Sequence, residues 1–196
     1  MIYLVRHGQT AFNAEGRLQG HVDSPLTELG RAQAVRFGEI LSGLTAPGWR
    51  IVSSPLGRAV ATAQAIRDVL GFGEVEIEPR LIELSWGDWD GRLRADLQTQ
   101  YPDAFGRTGW AFQAPTGEAY ESVQARMAGW MASLPPDPER RIIAVSHGVA
   151  GRVLRGVYAG LSRTDTVVQP VPQDALFRLA DGAITRIDCE AVASPG

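Results

Sequence analysis

The 196-residue chain has three histidines, and two of them stand at matching corners. The apolar run Ile2 to Val5 leads into Arg6-His7-Gly8, and the run Ile142 to Val145 leads into Ser146-His147-Gly148. A third corner, Ser53-Ser54-Pro55-Leu56-Gly57-Arg58, follows another short apolar stretch. Arg6 and Arg58 bring planar guanidinium forks suited to a phosphate or a carboxylate. Gly148 opens a helical pattern, and the N–H groups and dipole of a helix start favour an anion there. Asn13 adds a neutral donor from the first loop. Two histidines beside two arginines repel when all are charged, and a phosphate dianion relieves that repulsion. One neutral imidazole can then attack phosphorus and form a phosphohistidine. The other, protonated, stabilises the charge of the transferring group. Spacing alone does not say which histidine attacks.

Such a transfer also needs an acid for the leaving oxygen. Glu83, in Leu81-Ile82-Glu83-Leu84-Ser85-Trp86, has the most apolar flanks of any carboxylate in the chain, a setting that favours the protonated acid. Asp88, Asp90 and Glu118 are its rivals. A histidine at a strand end is more often structural than catalytic, but two matched corners and an arginine-bearing third weigh towards chemistry. His21, in Gln19-Gly20-His21-Val22-Asp23, lacks that context and reads as a loop residue near the mouth of the site. Trp86, Trp89, Trp110, Phe112 and Tyr120 read first as packing elements and second as apolar walls favouring a flat or nonpolar leaving group. The histidines lack the close spacing of metal ligands, so no metal is expected and no cofactor is implied.

Composition narrows the classes. All nineteen basic residues are arginine. Without lysine there is no Schiff-base or pyridoxal phosphate chemistry and no Walker A loop. The net charge of -3 gives no argument for nucleic-acid binding. The single cysteine, Cys189, excludes an internal disulfide. No signal peptide or membrane-length apolar run is visible, so a cytoplasmic protein is the default. A small phosphate ester is the expected partner; monomer and homodimer are both open.

These corners need a scaffold. Ile2 to Val5, Arg50 to Ser53, Val75 to Ile77 and Ile142 to Ser146 read as strands. A helix follows Thr27 as N-cap, with Leu26, Leu29, Phe37, Ile40, Leu41 and Leu44 on one face and an end at Gly43. Further helices are expected over Arg58 to Leu70, about Glu118 to Leu134, and Gly148 to Tyr158. Ala175 to Leu179 and Ala183 to Asp188 read as an edge hairpin. Arg6 to Pro25 reads as loop, residues 78–117 as an irregular lid, and 191–196 as a loose tail. Alternating strands and helices predict a single α/β domain with a largely parallel sheet, whose ligand site lies beyond the strands' carboxyl ends.

With these residues assembled, the sequence resembles the histidine phosphatase superfamily, the phosphoglycerate mutase-like proteins. Leu4-Val5-Arg6-His7-Gly8-Gln9-Thr10 resembles the family's opening signature, with Gln9 where Glu is usual. The blocks at 20–34, 53–63, 81–91 and 144–148 match in order, so nearly the whole chain is covered. The resemblance implies a three-layer α/β/α sandwich with a mostly parallel mixed sheet. It makes His7 the phosphorylated nucleophile and Glu83 the proton donor. Arg6, Asn13, Arg58 and His147 would form the phosphate pocket, with Gln19, Gly20 and Gly148 completing the substrate-binding set. Mutases of the family look like Glu-Arg-x-Tyr-Gly at the acid position, whereas Glu83-Leu84-Ser85-Trp86-Gly87 is similar to the broad-specificity phosphatases. A metal-independent phosphomonoesterase is therefore expected. A phosphoglycerate mutase and a non-catalytic phosphate-binding domain are the alternatives.

Overall fold

A computed structural model describes residues 1–137 and 139–189. The expected loose tail lies outside them. In chain order the strands are β1 (Ile2–Arg6), β2 (Arg50–Ser53), β3 (Val75–Ile77), β4 (Ile142–Ser146), β5 (Ala175–Ala180) and β6 (Ala183–Asp188). The helices are α1 (Ala11–Glu15), α2 (Glu28–Ser42), α3 (Gly57–Leu70), α4 (Arg94–Gln100), α5 (Pro102–Phe105), α6 (Tyr120–Ala132), α7 (Gly148–Ala159) and α8 (Arg163–Val168). The sheet order is β3-β2-β4-β1-β5-β6. β3, β2, β4 and β1 run parallel, and the β5–β6 hairpin closes one edge antiparallel. This is the expected α/β architecture with a mixed, mostly parallel sheet.

Alternation along the strands sends side chains to two apolar layers. Tyr3, Val5, Ile51, Ile143 and Val145 pack with Phe37, Leu41, Ala63 and Ile66 of α2 and α3. Leu4, Val52, Ile142 and Ala144 pack with Met127, Trp130, Val153 and Leu154 of α6 and α7. Each fully buried aliphatic side chain contributes about 1.5–3 kcal/mol, so the sheet that carries the corners is held from both faces.

The expected face of α2 is only partly the buried one. Phe37 and Leu41 are buried with Gly30, Ala34 and Gly38, whereas Leu44 is exposed. Small residues win because α2 packs closely on its neighbours: a Cβ on Gly38 would lie 2.7 Å from Val69 Cβ. The first loop holds a short helix, α1, nucleated by a capping box between Thr10 and Asn13. Residues 78–117 are likewise more ordered than expected. They form α4, α5 and 3₁₀ turns at Pro79–Leu81, Gly87–Trp89 and Trp110–Phe112. A ladder of rings holds them together: Trp86 on Trp110 at 5.3 Å, Trp110 on Phe105 at 4.5 Å, and Phe105 on Trp89 at 5.3 Å. Among the described residues no helix is long and apolar enough to cross a membrane.

Candidate active site

Neighbouring parallel strands place the two histidines side by side. β1 and β4 pair in register with Arg6 opposite Ser146, and the His7 N–H donates to the Ser146 carbonyl at 3.0 Å. The imidazole centroids are 5.1 Å apart and both rings are buried. Ser54, one residue beyond β2, supplies the third wall: its hydroxyl lies 2.7 Å from His147 Nε2. Gly8 follows His7 because the chain runs against α2 there. A Cβ on Gly8 would lie 2.1 Å from the Gly30 carbonyl oxygen, so only glycine fits.

Hydrogen bonding fixes the state of His7. Nδ1 lies 2.8 Å from the Gly8 carbonyl oxygen. A carbonyl only accepts, so Nδ1 carries the proton and Nε2 keeps the lone pair. Burial, then the charges of Arg6 and Arg58, holds His7 well below the ordinary imidazole range. Burial, then Arg58, His7 and Arg6, does the same for His147. Both rings are thus driven towards the neutral form, where the sequence reading expected one to be protonated.

The arginines are less alike than their motifs suggest. Arg6 lines the cleft, donates from Nη1 to the Val171 carbonyl at 2.5 Å, and has its pKa lowered by burial to about 10. Arg58, expected in the phosphate pocket, is buried and does not line the cleft, and its fork faces the Gln19–Asp23 loop. It bonds the carbonyls of Gly20 at 2.7 Å and Val22 at 3.0 Å, and Asp23 Oδ1 at 3.0 Å. Arg58 acts on the histidines through its charge.

Glu83 is buried, yet its surroundings are polar. Oε1 accepts from the N–H groups of Leu84 and Ala150, both at 2.8 Å, and Oε2 from Val149 at 3.1 Å. The start of α7, where the sequence reading expected a substrate anion, therefore cradles the Glu83 carboxylate. Two side chains hold the Glu83 segment: Ser146 Oγ donates to the Leu81 carbonyl at 2.8 Å, and Arg126 Nη1 to those of Arg80 and Ile82, each at 2.7 Å. The rival carboxylates are engaged elsewhere. Asp90 accepts from the N–H groups of Gly20, His21 and Val22, Asp88 accepts from Thr116, and Glu118 pairs with Arg126.

A cleft of about 290 Å³ opens onto this group. Arg6, His7, Asn13, Gln19, Glu83 and Gly148 all line it, as expected. His147, beside His7 at 5.1 Å, does not line it, nor does Gly20, whose N–H is taken by Asp90. The Gln19 amide is committed to Thr10 and Ser24. His21 sits beside the Glu83 carbonyl at 3.1 Å. The apolar walls are a correction. Trp86 and Trp110 reach the cleft, but Trp89 and Tyr120 are core residues, and the rings stack on one another. The outer wall is instead basic, with Arg17, Arg94 and Arg152. Arg94 lies over Trp110 at 4.9 Å. None of these three stands in a motif that marks it; Ser54 and Asp23 lie inside matched blocks, but the resemblance gives them no role there. Among the described residues no three His, Cys, Asp or Glu side chains gather as a metal ion would need.

Comparison with known proteins gives the family and supports the fold. The family model of the histidine phosphatase superfamily (branch 1) matches residues 2–176. A probable phosphoglycerate mutase, GpmB, of Cronobacter sakazakii is 35% identical over 197 residues, spanning 95% of this chain and 84% of its own. A mycobacterial glucosyl-3-phosphoglycerate phosphatase solved with VO3 superposes with a TM-score of 0.77 at 29% identity, over 95% of this chain and 96% of that one. The alpha-ribazole phosphatase of Shigella flexneri gives a TM-score of 0.77 at 26% identity, over 100% of this chain and 99% of that one.

Proposed function

The chain belongs to the histidine phosphatase superfamily, and we propose that it is a phosphomonoesterase working through a phosphohistidine on His7. The observation that carries this reading is the fixed tautomer of His7: a buried, neutral ring whose Nε2 lone pair is free while Nδ1 is bonded to Gly8. Nε2 attacks phosphorus in line, and the bond to the ester oxygen breaks. Glu83 gives its proton to the leaving oxygen. Water then attacks the phosphohistidine, Glu83 takes the water's proton, and phosphate leaves with His7 restored.

The other residues supply field and orientation. Ser54 Oγ accepts from the Leu56 N–H at 3.3 Å and lies 2.7 Å from His147 Nε2, and we assign the Ser54 hydroxyl as the donor in that pair. His147 then carries its proton on Nδ1 and serves as a neutral donor to the transferring group. Arg6 and Arg58 provide the positive charge. The basic outer wall favours an alcohol bearing a second anionic group over a flat, nonpolar one.

The similarity to a probable phosphoglycerate mutase supports a second reading, in which the phosphoryl group returns to a phosphoglycerate instead of water. One experiment addresses both. Rapid quenching with a ³²P-labelled ester should trap an acid-labile, base-stable phosphoenzyme. It should be absent from His7→Ala, and release of inorganic phosphate should outpace transfer to phosphoglycerate. Trapping on His7→Ala would overturn the assignment, and faster transfer than release would make the mutase reading correct.

A further inference from the structure

We propose that Gln173 is a positioning residue for this reaction: it holds the Asn13 amide with its nitrogen turned to the phosphate cleft. Asn13 Oδ1 has two neighbours, the Thr10 N–H at 3.3 Å and Gln173 Nε2 at 3.0 Å. A backbone N–H only donates, so the Asn13 atom facing Thr10 is the oxygen. The Gln173 group facing that same oxygen must then be its amide nitrogen. Both lone pairs of Oδ1 are used, and the Nδ2 hydrogens are left on the opposite side of the amide. Asn13 lines the cleft, and Nδ2 has no acceptor among the described residues. An amide rotated by half a turn would present an oxygen to a phosphate oxygen and repel it.

Gln173 can do this because the segment before it is pinned. Residues 167–173 run from the end of α8 towards β5 as a strap over the cleft wall. Arg152 Nη1 donates to the Val167 carbonyl at 2.9 Å, Arg155 Nη2 to that of Pro170 at 2.6 Å, and Arg6 Nη1 to that of Val171 at 2.5 Å. Arg155 is itself fixed over the Phe177 ring at 3.8 Å. Pro170 and Pro172 stiffen the strap and offer no N–H of their own. One guanidinium, Arg6, thus serves both strap and cleft.

The proposal rests on the cleft being the phosphate site. Calorimetric binding of inorganic phosphate tests the two separately, with KM and kcat for p-nitrophenyl phosphate read alongside. Gln173→Met keeps length and removes the donor. It should weaken phosphate binding and raise KM by about 3- to 10-fold, the range of one hydrogen bond, with kcat changed less. In an Asn13→Ala background the same substitution should change neither. Undiminished binding by Gln173→Met, or an equal loss in the Asn13→Ala background, would overturn the positioning role. A wild-type protein that binds no phosphate would overturn the phosphate site and this proposal with it.

Discussion

Acidification should destabilise the fold through His7 and His147. Both are held well below the ordinary imidazole value of 6.5. The unfolded chain binds a proton at each as pH falls through 6.5, and the folded chain does not. The unfolded state then carries more protons, so stability falls as pH falls. For one histidine that stays neutral when folded, the loss between pH 7.5 and 5.5 is about 1.4 kcal/mol, and for the pair about twice that. The carboxylates whose folded pKa is lowered, such as Glu76, Glu78 and Glu118, start from 4.5 and lose their contribution only at lower pH. The assay is urea unfolding at both pH values in phosphate-free buffer, for the wild type, His7→Asn, His147→Asn and the double variant. Each single variant should lose about 1.4 kcal/mol less than the wild type over this range, and the double variant about 2.7 kcal/mol less. An equal pH dependence in all four proteins would refute the neutral histidine pair, and with it the basis for His7 as a ready nucleophile.

Two further outcomes follow from the cleft. Glu83→Gln should slow phosphoenzyme formation from an alkyl phosphate by about 10²–10⁴-fold and from p-nitrophenyl phosphate by much less, because nitrophenolate leaves without a proton. Equal losses in that step would remove Glu83 as the acid. Arg94→Ala should lower kcat/KM about tenfold for phosphoesters whose alcohol carries a carboxylate, in line with one charge-assisted bond, and leave esters of uncharged alcohols unchanged. A uniform loss across a substrate panel would show that Arg94 only stiffens the lid.

Much of this site is legible in the sequence because its chemistry hangs on strand ends. β1, β2 and β4 are short apolar runs with hard stops, so their bounds, and hence the corners, are readable within a residue. What stays hidden is the chemistry of partners distant in sequence. The apolar flanks of Glu83 are real, but its donors come from the start of α7, a segment that no local pattern links to it. The Arg58 fork binds carbonyls that have no sequence signature. The short helices of residues 94–105 escape a periodicity reading because each spans two turns or fewer, and tertiary ring stacking stabilises them. The aromatic residues mislead for the same reason: the sequence shows their number, and only packing shows that they consume one another's faces.

The polar atoms left over say most about what the site is for. Six buried side-chain polar atoms have no partner among the described residues, and three of them are Arg6 Nε, Arg58 Nε and His147 Nδ1. A buried donor without an acceptor costs about 1–3 kcal/mol, and a fold optimised for stability alone would not gather three of them at one pair of rings. All three belong to residues around His7, and burial there already disfavours extra charge on the histidines and Arg6. In the proposed reading, an anion carrying several acceptor oxygens accepts from Arg6 and His147 and offsets the repulsion among the cations, Arg58 included, at the same time. A neutral ligand can accept from those donors but leaves the repulsion in place. The same residues that cost stability in the chain are therefore those that would favour a phosphoryl group, most strongly when its charge is spread over the equatorial oxygens of the transition state.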